Sequence, residues 1–155
     1  MVSTCHDSHT NAQAFSARPL ALQRYLDTCE DKAFCFGTFD CCLFVADWLL
    51  VVNGVDVAAD FRGRYKSAIG AKRRLTRLGF SDVQSVFKHH LKPIEIAYAQ
   101  RGDIALVEFE GELVGGIVCM NSVYCVTDIG LSVLEMSAVN SCYSQVLPAL
   151  GGAHG

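Results

Sequence analysis

No apolar run in this sequence reaches the roughly 20 residues that a helix needs to cross a bilayer. The longest, Cys41 to Val52, is shorter than that and is interrupted by Asp47. The N-terminus, Met1-Val2-Ser3-Thr4-Cys5-His6-Asp7, has no basic stretch leading into an apolar one, so no secretory signal is expected. An excess of one charge is lacking too. Thirteen Lys and Arg stand against sixteen Asp and Glu, a formal charge of −3, and nothing global points to nucleic acid or a membrane. There is no C-x-x-C pair, which weighs against a zinc or iron–sulfur site. Finally, no histidine lies between His90 and His154, so the whole strand-rich half of the chain lacks an imidazole.

What is present fits one domain. The chain has 155 residues, of which 51% are hydrophobic and 19% charged, a balance that excludes general disorder. The domain is expected over residues 17–148, with flexible segments at 1–16 and 149–155. Eight cysteines fall short of the roughly 8–10% that marks a disulfide scaffold. Without a signal they read as thiols, mostly buried as small apolar groups. Cys5, His6 and His9 lie close together, but on a polar aperiodic terminus, and no metal is assigned to them.

The first half of the chain reads as helical. Pro19 suits a first turn, and Leu22, Tyr25, Leu26 and Cys29 share one face of a helix expected over 19–30. Asp40 is a good N-cap for a helix from Cys41 to about Asn53, closed by Gly54 and apolar nearly all round, as a central buried helix is. Cys41 and Cys42 therefore occupy its first turn, where free backbone N–H groups and the helix dipole favour a thiolate. A basic cluster follows (Arg62, Arg64, Lys66, Lys72, Arg73, Arg74 and Arg77), and Ile69, Ala71, Leu75 and Leu78 mark a second amphipathic helix stopped by Gly79. It reads either as a solvated face or as a docking surface for an acidic partner or for nucleic acid, of which nucleic acid is the weaker, given no aromatic interleaving and a negative total charge. Arg62 and Arg64 are candidates for bracing the fold through Asp60 or Asp47, which leaves Arg73, Arg74 and Arg77 for docking. Beyond a linking segment with His89, His90 and Pro93, strands are expected at 104–109, 113–120, 123–126 and 131–136, with a fifth over 142–147. Helices first and strands later give an α+β domain with an antiparallel sheet or half-barrel.

Three segments carry a resemblance: Phe36-Gly37-Thr38-Phe39-Asp40-Cys41, Asp60-Phe61-Arg62-Gly63-Arg64-Tyr65 with Gly70-Ala71, and Arg101-Gly102-Asp103-Ile104. Over about residues 19–147 the chain resembles a small domain family of unknown function from the tail modules of tailed bacteriophages and prophages. That family is distantly similar to the NlpC-like cysteine peptidases. The resemblance implies a papain-like fold in which Cys41 takes the nucleophile position, with Asp40 capping its helix. The base position, a histidine on the second strand of the active enzymes, falls on about Val114. Valine takes no proton, so the thiol lacks its base unless His89 or His90 substitutes from elsewhere.

Three readings follow. The first is a structural component of a phage tail tip, carried in the virion after assembly in the host cytoplasm. In it a peptidase-like domain has lost its chemistry and keeps surface for tail-tip or hub proteins, with no cofactor, nucleic acid or membrane span. The second is an active cysteine hydrolase of peptidoglycan peptides during genome entry. The third is a metal or iron–sulfur protein that draws ligands from Cys29, Cys35, Cys41, Cys42, Cys119, Cys125 and Cys142.

Overall fold

Asp40, Cys41 and the apolar run after them make the element around which the rest is arranged. The computed structural model describes residues 7–149, with side chains from Arg18 onward. Its helices are α1 (Asp7–Cys29), α2 (Cys41–Asn53), α3 (Ala68–Arg77) and α4 (Val83–His90). Its strands are β1 (Pro93–Ile94), β2 (Ile104–Phe109), β3 (Glu112–Cys119), β4 (Ser122–Thr127), β5 (Gly130–Glu135) and β6 (Val139–Tyr143). The strands form one antiparallel sheet in the order β1-β6-β2-β3-β4-β5. This is an α+β domain.

β2 to β5 form a meander of consecutive hairpins. β6 then returns to the other side of β2, with a register shift between Leu106 and Val107. Alternation along the strands divides the apolar residues between the two faces of the sheet. On one face Ile104, Leu106, Ile117 and Val126 join Phe44, Val45, Trp48 and Leu49 of α2 and Leu22 and Leu26 of α1. On the other, Ala105, Val107, Val118, Val123 and Cys142 form a second cluster, against which Val114 packs.

α2 is anchored at several points along its length. The Trp48 indole donates to the Gly102 carbonyl ahead of β2 at 2.8 Å, and Asn53 donates to the Gln145 carbonyl at 2.9 Å. On the α1 side the Tyr25 ring stacks on Phe44 and Trp48, and its hydroxyl donates to the Phe44 carbonyl at 2.6 Å. Gly54, at φ 71°, ends the helix as expected, but the last turn is not buried: Leu50 and Val51 are exposed.

Several expectations need correction. α1 begins at Asp7, earlier than the helix expected over 19–30, and carries Pro19 in its interior and not in its first turn. Residues 1–6 and 150–155, with Cys5 and His6 as possible ligands, lie outside the described residues, as does the side chain of His9. The segment expected to link the halves contains α4, whose Asp82 N-cap and Ser85 form a capping box. The fifth expected strand is β6, three residues earlier than 142–147, because Gln145 is taken up by Asp103: its backbone N–H and its side-chain amide both donate to that carboxylate at 3.1 Å.

Arg62 is one of the bracing arginines. Its guanidinium reaches Asp47 of α2 at 2.7 Å and Asp56 at 2.9 and 3.1 Å, so the loop after α2 is clamped to the helix. The hydrogen bond from Arg62 holds the Asp56 carboxyl below its ordinary pKa. A lowered folded pKa adds stability above the unfolded value and loses it as the pH falls through the folded one. All three side chains are partly exposed, so solvent screens the pair and Arg62→Ala is expected to cost only about 1 kcal/mol at neutral pH. In urea melts across pH, the gap between the native protein and the variant should shrink below about pH 4.

Candidate thiol site at the start of the central helix

The site is built on a buried carboxylate. Asp40 is 5% exposed and satisfied by three donors: the Leu43 amide at 3.0 Å, the Gly37 amide at 2.9 Å and the Tyr65 hydroxyl at 2.6 Å. The first bond is the N-cap of α2, and the other two draw in the preceding turn and the Arg-Gly-Arg-Tyr segment. Gly37 is required here, since its φ is 81° and a Cβ would run into the Tyr65 carbonyl. Burial, then the Asp40 charge and hydrogen bond, push the Tyr65 phenol well above its ordinary pKa, so it stays a donor.

Cys41 and Cys42 follow the cap, both half-buried, with their sulfurs 3.9 Å apart. Their environments differ. The Cys42 thiol, first, and the amides of Gly115 and Cys42 favour the Cys41 anion and hold its pKa below the ordinary value, while burial and the Asp40 charge oppose them. Cys42 moves the other way, raised by its hydrogen bond to Cys41 and by burial. Its side chain borders an apolar cavity of about 90 Å³ between α2, α3 and α4, lined also by Ala46, Phe61, Leu75, Val86 and His90. The pair is thus one acidic thiol beside one proton-holding thiol.

The residue of β3 that stands against Cys41 is Gly115 and not Val114. A Cβ on Gly115 would lie 3.0 Å from the Cys41 carbonyl, 3.0 Å from the Phe87 ring and 3.1 Å from Val45. Val114, assigned to the base position from sequence, packs in the cluster on the opposite face of the sheet. The β3–β4 ladder starts at Gly116, so Gly115 sits just beyond it, where its amide serves the thiol. Among the described residues no imidazole is hydrogen-bonded to Cys41. His89 and His90 pack on Phe80, with ring centroids 5.4 and 6.3 Å away, and on each other at 4.7 Å. Burial and the neighbouring His89 lower the His90 pKa.

The remaining candidates are dispersed. Cys29, Cys119, Cys125 and Cys142 are buried, Cys35 is exposed, and none of the described cysteines is disulfide-bonded. Burial pushes the Cys125 and Cys142 thiols up to about 11. Among the described residues no group of three or more His, Cys, Asp and Glu side chains is placed to hold a metal ion. Of the three docking arginines, Arg73 and Arg77 are exposed, whereas half-buried Arg74 donates to the Asp60 carbonyl at 2.8 Å. Sequence reasoning missed Gly115 and the Tyr65–Asp40 bond. A glycine pair inside a strand signals close backbone approach, and that was the available clue to the first.

Residues 15–145 match a family described as a domain of unknown function (DUF6950). No curated protein and no solved structure matches the chain.

Gly115→Ala tests the close approach of β3 to α2. The Cys41 carbonyl belongs to helix backbone and has little room to yield, so the added methyl should cost about 1–3 kcal/mol. The expected result is a lower urea midpoint with an unchanged slope.

Proposed function

We propose that this chain, which belongs to the DUF6950 family, is a structural component of a bacteriophage tail tip: a peptidase-like domain without peptidase chemistry, assembled in the host cytoplasm and carried in the virion. The tail assignment rests on the sequence resemblance carried by Phe36–Cys41, Asp60–Tyr65 and Arg101–Ile104. The loss of chemistry rests on one observation. The strand position against Cys41 is a glycine, and the thiol's hydrogen-bond partners are a second thiol and backbone amides. A thiolate of this kind has a nucleophilic sulfur, but among the described residues no imidazole is hydrogen-bonded to it to protonate the departing amine of a peptide.

A helix at whose first turn a cysteine meets an antiparallel sheet also supports the papain-like, NlpC-type reading of the fold. What such a domain offers an assembly is surface. Lys72, Arg73 and Arg77 are exposed on α3, which has no fully buried residue of its own and projects its cations from the body of the domain. Guanidinium groups make bidentate pairs with carboxylates, so the partner on this face is an acidic surface of a tail-tip or hub protein.

Two measurements test the reading. Purified protein incubated with cell-wall peptides should release no product, and Cys41→Ala should leave particle assembly and infectivity nearly intact. Cleavage that disappears in Cys41→Ala would overturn the structural role. Separately, Arg73→Glu with Arg77→Glu should weaken incorporation into particles while the melting temperature stays within a few degrees. Arg74 is left unchanged because it holds Asp60. Normal incorporation of the double variant would return the basic face to a solvated surface.

A further inference from the structure

Among the described residues Cys41 and Cys42 are the cysteines whose sulfurs lie within hydrogen-bond reach of each other, and both residues are half-buried. The other described cysteines lack one property or the other. Cys29, Cys119, Cys125 and Cys142 are buried, and exposed Cys35 has only the Phe36 carbonyl beside its sulfur. We propose that Cys41 and Cys42 form a peroxide-sensitive dithiol, in which Cys41 is oxidised first and Cys42 closes the product to a disulfide.

The chemistry balances with hydrogen peroxide as the oxidant. The Cys41 thiolate attacks one peroxide oxygen, the O–O bond breaks, and Cys41 becomes a sulfenic acid while hydroxide leaves. The Cys42 sulfur then attacks the Cys41 sulfur. An S–S bond forms, the S–O bond breaks, and the proton of Cys42 leaves with the hydroxyl as water. Two electrons pass from the sulfurs to the peroxide, and an external dithiol reverses the change by exchange. The assignment of roles follows from position. Cys41 lies against the Gly115 amide at the helix start, which favours the anion. Cys42 borders the apolar cavity and keeps its proton until a sulfenic acid stands 3.9 Å away.

Neighbouring residues across a trans peptide have Cα atoms about 3.8 Å apart, below the roughly 4.4–6.8 Å of ordinary disulfides. The bond is therefore strained and easily reduced, which is the property of a labile disulfide rather than a structural one. Its closure must distort the first turn of α2, where Asp40 accepts from Leu43. The cavity beside Cys42 gives that turn room to move.

The test uses the full chain, equimolar hydrogen peroxide and dimedone, which traps sulfenic acids, with sites read by tandem mass spectrometry. In the native protein the segment containing Cys41 and Cys42 should lose two hydrogens, take up no dimedone and recover with dithiothreitol. In Cys42→Ser, which removes the resolving sulfur, dimedone should collect on Cys41 severalfold faster than on Cys35. Iodoacetamide labelling of the untreated native protein gives the same ranking without any substitution. Dimedone on Cys41 in the native protein, a disulfide linking Cys41 to Cys35, or labelling no faster at Cys41 than at Cys35 would each overturn the proposal. None of these outcomes depends on whether the domain sits in a phage tail.

Discussion

The Asp40 carboxylate is the interaction on which the rest depends. A buried acid must have its oxygens satisfied, since leaving them bare costs far more than a hydrogen bond returns. Here one side chain gathers three segments separated in sequence: the turn at Gly37, the start of α2 and Tyr65. The direction in which α2 leaves this point aims its apolar face at β2, β3 and β4. The position of Cys41 is then a consequence, one residue past the cap and pressed on the sheet.

Against this anchor, the distribution of cysteine makes physical sense. Thiols in the packed interior, such as Cys125 and Cys142, behave as small apolar groups whose ionisation burial suppresses. The two at the helix start lie where backbone N–H groups lack helical partners. The helix start alone does not decide the outcome: only Cys41 receives donors that favour its anion, while the Cys42 thiol is raised by its hydrogen bond to Cys41 and by burial. The negative charge of Asp40 works against the Cys41 anion, so the Cys42 thiol and the amides must outweigh it.

α2 was legible in the sequence to the residue, because cap, apolar run and terminal glycine all agreed. α4 was hidden by its polar content, Gln84, Ser85, Lys88, His89 and His90, although Asp82 with Val83, Val86 and Phe87 carried the signal. The meander was legible from its turn residues, but β1 is too short to show a period. The site was half legible. Asp40, Cys41 and the bracing arginine could be read locally, whereas the residue facing Cys41 depends on strand register. A slip of one position exchanges the faces of a sheet, and that separates Val114 from Gly115.

The sheet order has a consequence for when the thiol environment comes into being. β2 to β5 pair with their neighbours in the chain through short turns, so these ladders need only small loop closures. Gly115 reaches Cys41 only when residues more than seventy positions apart in sequence are brought together. An excised segment carrying the Asp40 cap, both thiols and α2 would have the same sulfurs without the strand that supplies the amide. The Gly115 share of the acidity of Cys41 is therefore a tertiary property, absent from the nascent chain until β3 has been made and docked, whereas the Cys42 thiol and amide that act beside it are neighbours in sequence.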